Sequence, residues 1–329
     1  MWYINPLKRP PTLEQTPLAL FFPRRMGRTD APPPMDQPIA ATSPPFPLFR
    51  LLAGSVCISF SAIFIKLAHI APDSAGFYRM LFAALSLLAL LRAKGGSLAM
   101  SRRQLLLLCG CGLTLSLDFM CWHRSILLVG PGLSTLLGNC QVFFTALFSF
   151  LFLRQRISTM FMFAVATALV GLFFVTGGDW EMLGHGFRLG VVLGLSTAVF
   201  YSGYIMLLKQ ALTGSALSGV TAMLVISVVS SVLLGLVVPF GGESFVIPDA
   251  GSLFALLGVG VLSTTIGWSL ISSAIREIPA TLAGLVLLTQ PALSFLWDVL
   301  IFHRPTTAIE VVGIVLILLG IYVGSYRRE

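Results

Sequence analysis

What this sequence has least of is charge. One residue in ten is Asp, Glu, Lys or Arg, against about a quarter in a soluble domain, and 56% are hydrophobic, with a mean hydropathy of +0.92. No soluble fold could hide that much apolar surface, so the chain is read as a polytopic membrane protein. Other absences narrow the class. No G-x-x-x-x-G-K-[ST] stretch is there to cradle phosphates, and no soluble region is long enough to hold one, which argues against an ATP-driven pump. Neither H-E-x-x-H nor G-x-S-x-G occurs, and His69, His123 and His303 sit near the ends of apolar runs, where a solvated histidine is expected. The reading is therefore not an enzyme, with no catalytic or metal-binding residues. Five cysteines (Cys57, Cys109, Cys111, Cys121, Cys140) lie inside apolar runs without C-x-x-C or Cys/His spacing, and are read as small apolar residues. The net charge of +8 is spread over short clusters between apolar runs, so nucleic acid is not an expected partner.

Residues 1–47 are rich in proline and carry Arg24, Arg25 and Arg28, so they are expected to form a disordered tail. Its one apolar patch, Leu18 to Phe22, is too short for a signal-peptide core, and Met26 and Met35 are alternative starts. Beyond it the chain reads as about ten spans, at 48–70, 74–92, 104–125, 130–153, 157–177, 188–209, 218–240, 251–272, 279–302 and 307–325. Each is close to the roughly 20 residues needed to cross hydrocarbon. Lys8, Arg9, Arg24, Arg25, Arg28, Arg50, Arg92, Lys94, Arg102, Arg103, Arg154, Arg156, Lys209, Arg276, Arg327 and Arg328 then fall on one side, and only Arg124, Arg188 and Arg304 on the other. The positive-inside rule puts both termini in the cytoplasm. The fold class is thus an all-α integral membrane protein of about ten transmembrane helices. Two sets of five, at 48–177 and 188–326, must be inverted relative to each other, because an odd number of crossings makes the second set enter from the opposite face. Inverted repeats that meet at a midplane site are a recurring plan of secondary transporters.

The segment from Ile278 to Phe302 carries Thr289-Gln290-Pro291 in mid-span and then Asp298. Proline frees the carbonyl of Leu287, and a carboxylate in hydrocarbon faces protein, a partner or water. Pro131 to Leu153 has the same layout around Asn139-Cys140-Gln141; shifting one onto the other aligns Gln141 with Gln290, though the other identities are all leucine. Asn139, Gln141, Gln290 and Pro291 are accordingly the candidate substrate-binding positions. Lys66, Arg79, Asp118, Asp298 and Glu310 are the ionisable residues inside the spans, and the span limits above place all five in the outer third. They form either a charged vestibule with a protonatable site or interhelical ion pairs, such as Lys66 or Arg79 with Asp118 or Asp298. Asp118 and Asp298, the deeper carboxylates, are the stronger functional candidates. Tyr78, Trp122, Tyr204 and Trp297 read as interfacial anchors, while Tyr201 and Trp268 lie far enough inside their spans to touch a ligand. Gly186, Gly190 and Gly194, and Gly320 with Gly324, have the spacing of close helix crossings.

From Phe49 to Arg327 the chain resembles the drug/metabolite transporter superfamily, EamA type. The resemblance rests on Ile58-Ser59-Phe60-Ser61-Ala62-Ile63-Phe64-Ile65-Lys66-Leu67-Ala68, on Phe77-Tyr78-Arg79-Met80-Leu81-Phe82-Ala83-Ala84, on Asp118 with Trp122-His123 and Ser125-Ile126, and on Leu285-Val286-Leu287-Leu288-Thr289-Gln290-Pro291-Ala292. It implies a ten-helix carrier in the cell (inner) membrane of a bacterium that exports or exchanges small metabolites, often amino acids, through a central cavity. It carries over Lys66, Arg79, Asp118, Gln290 and Asp298 as functional positions. Two departures stand out. Where the family repeats hold a proline after the mid-helix polar residue and a glutamate at the far end, the first repeat has Val142 and Gln155, and the second keeps Pro291 but has Arg304. The reading calls for a small-molecule substrate, the lipid bilayer and no cofactor. It leaves proton coupling, and the choice between monomer and homodimer, open. A channel-like facilitator or a structural membrane protein is the competing class.

Overall fold

A computed structural model describes residues 46–153, 158–176, 184–213, 215, 217–274, 277–278 and 280–325. The expected tail therefore lies outside the described residues up to 45, as do Arg154, Gln155, Arg156, Arg276, Arg327 and Arg328; positions 46 and 47 already begin the first helix. In chain order the helices are α1 (Phe46–Ser59), α2 (Ser61–Leu67), α3 (Pro72–Ala93), α4 (Arg102–Val129), α5 (Pro131–Asn139), α6 (Gln141–Leu153), α7 (Thr159–Thr176), α8 (His185–Leu212), α9 (Gly219–Phe240) and α10 (Ala250–Leu257). A π-helical segment, Gly258–Gly267, leads into α11 (Trp268–Ala274), followed by α12 (Ala280–Leu287), α13 (Thr289–Phe302) and α14 (Ala308–Ser325). Among the described residues, eight stretches are long and apolar enough to cross a membrane, and α7 and α14 supply two shorter apolar helices. That makes ten spans: α1–α2, α3, α4, α5–α6, α7, α8, α9, α10–α11, α12–α13 and α14.

Local chemistry explains the starts. Pro72 and Pro131 stand in the first turns of α3 and α5, where a missing N–H costs nothing. Ser101 and Gln104 close a capping box on α4, and Ser218 and Asp249 accept from Thr221 N and Ser252 N at the starts of α9 and α10. Between α4 and α5 the chain turns at Gly130, whose φ of +88° suits glycine and whose missing Cβ leaves room for the Asp298 carboxylate.

Three spans are interrupted at mid-depth, by Phe60, Cys140 and Leu288. Pro291 accounts for the break at Leu288, since it cannot donate to the Leu287 carbonyl. Span four has no proline, yet it breaks at the matching place: Cys140 N turns to Leu137 O at 3.0 Å, a tightened 3₁₀-type bond. Val142 in place of the family proline therefore does not remove the interruption.

The spans pack in five pairs: first with eighth, second with seventh, third with sixth, fourth with ninth and fifth with tenth. Exchanging the two halves of the chain returns the same five pairs, as an inverted repeat requires. Large apolar side chains such as Leu106, Phe163, Phe173 and Phe254 are exposed on the outside, where lipid would cover them. Inside, glycines let helices approach. A Cβ on Gly190 or Gly194 would strike Val129 or Leu137. In the α7–α14 pair, a Cβ on Gly171 would lie 2.5 Å from Gly313 O, and one on Gly313 would lie 2.6 Å from Gly171 O. Gly313→Ala should therefore cost about 1–3 kcal/mol by overpacking and lower the melting temperature in detergent. Gly219→Ala, where a Cβ meets open space, is the control that should not.

Candidate functional site

The five ionisable residues do not share one level. Three sit at helix ends on one face of the bundle: Lys66 is next to the last residue of α2, Asp298 is four from the end of α13, and Glu310 is in the first turn of α14. They form a chain of contacts. Asp298, 1% exposed, lies 3.7 Å from Lys66 Nζ and 3.7 Å from Arg304 Nη1, and accepts a hydrogen bond from Gly132 N at 3.1 Å. Arg304 Nη2 continues to Glu310 at 3.5 Å, and Glu310 in turn closes a capping box with Thr307. Lys66 also rests on the Phe302 ring, 4.0 Å from its centroid. Arg304, at the position where a glutamate is expected, is thus flanked by two carboxylates.

A second charged cluster involves α3, α4 and the segment after α9. Arg124 grips Asp73 through two bonds of 2.6 and 2.8 Å and reaches Glu243 at 3.5 Å, while Glu243 accepts from the N–H groups of Asp73 and Ser74. Arg124 and Arg304, two of the three arginines expected on the side opposite the termini, are therefore neutralised by partners within the protein.

Asp118 belongs deeper, which corrects its outer-third placement, whereas Arg79 stays about one third of the way along α3. α4 continues past the expected end at 125 to Val129, so Asp118 lies about 16 Å from its C-terminal end, near mid-membrane, and Arg79 about 10 Å from the start of α3. Arg124 looks like a span end in the sequence, but pairing with Asp73 lets the helix run on. His123 is corrected for the same reason: it is wholly buried, with Nδ1 2.9 Å from Pro72 O and its ring stacked on Phe119.

Around Asp118 and Arg79 the polar chemistry is incomplete. Asp118 is 4% exposed and its Oδ1 has no hydrogen-bond partner; Arg79 is 9% exposed and its Nη1 has none either. The two act on each other and on Tyr201 electrostatically, yet no ion pair joins them. Arg79 Nε donates to Thr264 Oγ1 in the π-helical segment at 3.2 Å, and its guanidinium lies 4.3 Å from the Phe119 ring centre and 5.3 Å from that of Trp122. On α8, Thr197, Tyr201 and Tyr204 share one face: Thr197 Oγ1 donates to Asp118 O, and Cys111 Sγ to Tyr204 O, so this face meets α4. Ser202, beside Tyr201, donates to the carbonyl of Gln141 at 2.9 Å, and the amide oxygen of Gln141 is buried without a partner.

The structure thus brings Arg79, Asp118 and Tyr201 together, with Gln141 joined to the same crossing through Ser202. The other candidates stand apart. The Asn139 amide donates to Thr135 O of its own helix. Pro291 is buried, and Gln290 and Trp268 are half-buried and make no side-chain hydrogen bond among the described residues. Trp297 is no interfacial anchor: it donates to Ser59 Oγ at 2.9 Å and stacks on Phe60 at 4.8 Å, sealing the break in the first span. Thr264, Phe119, Thr197 and Ser202 were not singled out in the sequence, since each resembles dozens of other residues in apolar helices.

A family model described as the EamA-like transporter family matches residues 46–177 and 188–326, one match over each half of the chain. No curated protein matches. Among solved structures, 27 chains match. One, titled only "Crystal structure of protein", has 16% identity and a TM-score of 0.61, with 85% of this chain and 96% of that chain covered. At that identity it shows a shared fold and nothing of function.

Proposed function

The chain belongs to the EamA-like transporter family and is a membrane transporter of the drug/metabolite type, and from that premise we propose that it is a secondary carrier which exports or exchanges small metabolites, amino acids or similar, by alternating access. The observation that carries this reading is a pair of buried charged atoms, Asp118 Oδ1 and Arg79 Nη1, that have neither a hydrogen-bond partner nor, unlike Asp298 and Arg304, an ion pair. Leaving a buried polar atom unpaired costs about 1–3 kcal/mol, and more when it is charged. A structural ion pair would have closed the gap, as Asp73 and Arg124 do. Two opposite charges that feel each other electrostatically without pairing favour a role with a third party between them, namely the substrate or a proton.

In this mechanism the substrate binds between α3, α4 and α8. Tyr201 borders it, Gln141 offers its free amide oxygen, and Asp118 takes up a proton or a cationic group. The breaks at Cys140 and Leu288 lie on the paired fourth and ninth spans, where the two halves rock about each other. The reading places both termini in the cytoplasm and the protein in a bacterial inner membrane. It uses no cofactor.

Counterflow separates this reading from a channel. Proteoliposomes preloaded with a mixture of unlabelled amino acids should accumulate a labelled amino acid transiently above its equilibrium level. A labelled compound that only equilibrates, unaffected by internal load, would indicate a channel.

A further inference from the structure

The way Arg79 is held points to the chemistry of what it meets; this inference rests on the carrier reading of the same site. Arginine presents five donors in a planar fork. One of them, Nε, is used on Thr264 Oγ1 at 3.2 Å, and the stacked rings of Phe119 and Trp122 fix the orientation of the plane. The far edge, with Nη1, is buried and has no partner. Thr264 can play this part because its segment is π-wound. Its hydroxyl donates to the carbonyl five residues back, Val259 O, at 2.8 Å, where a threonine in an α-helix would bond three or four residues back. With its proton committed, the oxygen can only accept, and what it accepts is the Nε–H of Arg79. The neighbouring Thr265 repeats the pattern, donating to Gly260 O and meeting Ser86 Oγ at 2.6 Å. The π segment is thereby tied to α3 at Arg79 and again two turns further on, at Ser86.

We propose that Arg79 selects an oxyanion on the substrate, held in the free edge of its guanidinium, and that Thr264 is the positioning residue that aims it. A planar fork suits a planar carboxylate through two parallel bonds. The charge balance favours a monoanion: a phosphate would bring close to two negative charges against one guanidinium, with the Asp118 carboxylate already in electrostatic range. The substrate class is therefore small molecules that carry a carboxylate.

The test uses the purified full-length protein in detergent, with benzoate and phenylacetate as probes and their uncharged isosteres, benzamide and phenylacetamide, as controls. Both acids should raise the melting temperature at concentrations where the amides do not. Thr264→Val removes the acceptor while keeping the shape, and should raise the half-saturating acid concentration about tenfold, the loss of one charge-assisted contact. Thr264→Ser keeps the acceptor and should stay within about threefold of wild type. Arg79→Lys keeps the charge but not the fork, and should narrow the gap between acid and amide. A merely structural role for Thr264 would lower the melting temperature of the valine variant without changing the ratio of acid to amide affinity. Amides that bind as well as acids, wild-type acid affinity in Thr264→Val, or no stabilisation by either acid would each overturn the assignment. Failure of the carrier reading looks different: acid-selective stabilisation without counterflow would sink that reading, and counterflow without acid preference would sink only the anion assignment.

Discussion

Asp118→Asn should slow transport about ten- to a hundredfold and leave the protein folded in the membrane. Asparagine keeps the size of the side chain and removes the charge, so the packing of α4 against α8 should survive. The Thr197 bond to this residue uses its backbone carbonyl and is indifferent to the change. What is lost is a buried carboxylate oxygen without a partner in the protein. A hydrogen bond to a charged group contributes about 1.5–3 kcal/mol, which is about ten- to a hundredfold in rate or affinity. The initial rate of counterflow, normalised to inserted protein, should fall by that factor while the melting temperature holds or rises. An Asp118→Asn protein that transports at the wild-type rate would show this carboxylate to be structural and would remove the main support for the site.

The opposite outcome is expected at Asp298. That carboxylate is as buried as Asp118, and its Oδ1 likewise accepts no hydrogen bond, but it is ion-paired: Lys66 Nζ lies 3.7 Å from Oδ1, Arg304 Nη1 lies 3.7 Å from Oδ2, and Gly132 N–H donates to Oδ2. Asp298→Ala leaves the Gly132 N–H without its acceptor and takes one ion-pair partner from each of Lys66 and Arg304, although Arg304 keeps Glu310. Removing one partner of a buried pair costs about 3–5 kcal/mol, less here because Lys66 is about one-third exposed and screened by solvent. A loss of about 2–4 kcal/mol follows, seen as a melting temperature lower by several degrees, with transport per folded molecule within about twofold of wild type. Asp298→Asn, which still offers an oxygen to Gly132 N–H, should recover part of the stability. If the alanine variant melted like wild type but did not transport, Asp298 would belong to the transport site and its cluster would be part of the mechanism.

The contrast between these two aspartates marks how far the site was legible. Both read alike as carboxylates in apolar spans, and both were candidates for function. Depth could not be read for Asp118, because His123 and Arg124 look like residues at a membrane surface. Only the partner Asp73, from a different helix, allows Arg124 to remain in the helical run and pushes Asp118 inward. Nor could the sequence pair Lys66 with Asp298, or Arg304 with both Asp298 and Glu310, as alternatives such as Lys66 with Asp118 were equally consistent with it. Thr264 was invisible, being one of many hydroxyls in small-residue stretches until the π winding turns it toward Arg79.

By itself the sequence determined the class and the plan. Apolar runs long enough to span hydrocarbon, with basic residues between them, dictate a helical membrane protein, because in lipid a lone segment can satisfy its backbone only as a helix. Five spans per half dictate inversion by counting alone, and the polar steps at Asn139-Cys140-Gln141 and Thr289-Gln290-Pro291 mark where the fourth and ninth spans break. The tertiary structure decided which charges are spent on one another and which remain free. That is a question of distances between helices far apart in the chain, and a hydropathy pattern carries no information about which helix faces which.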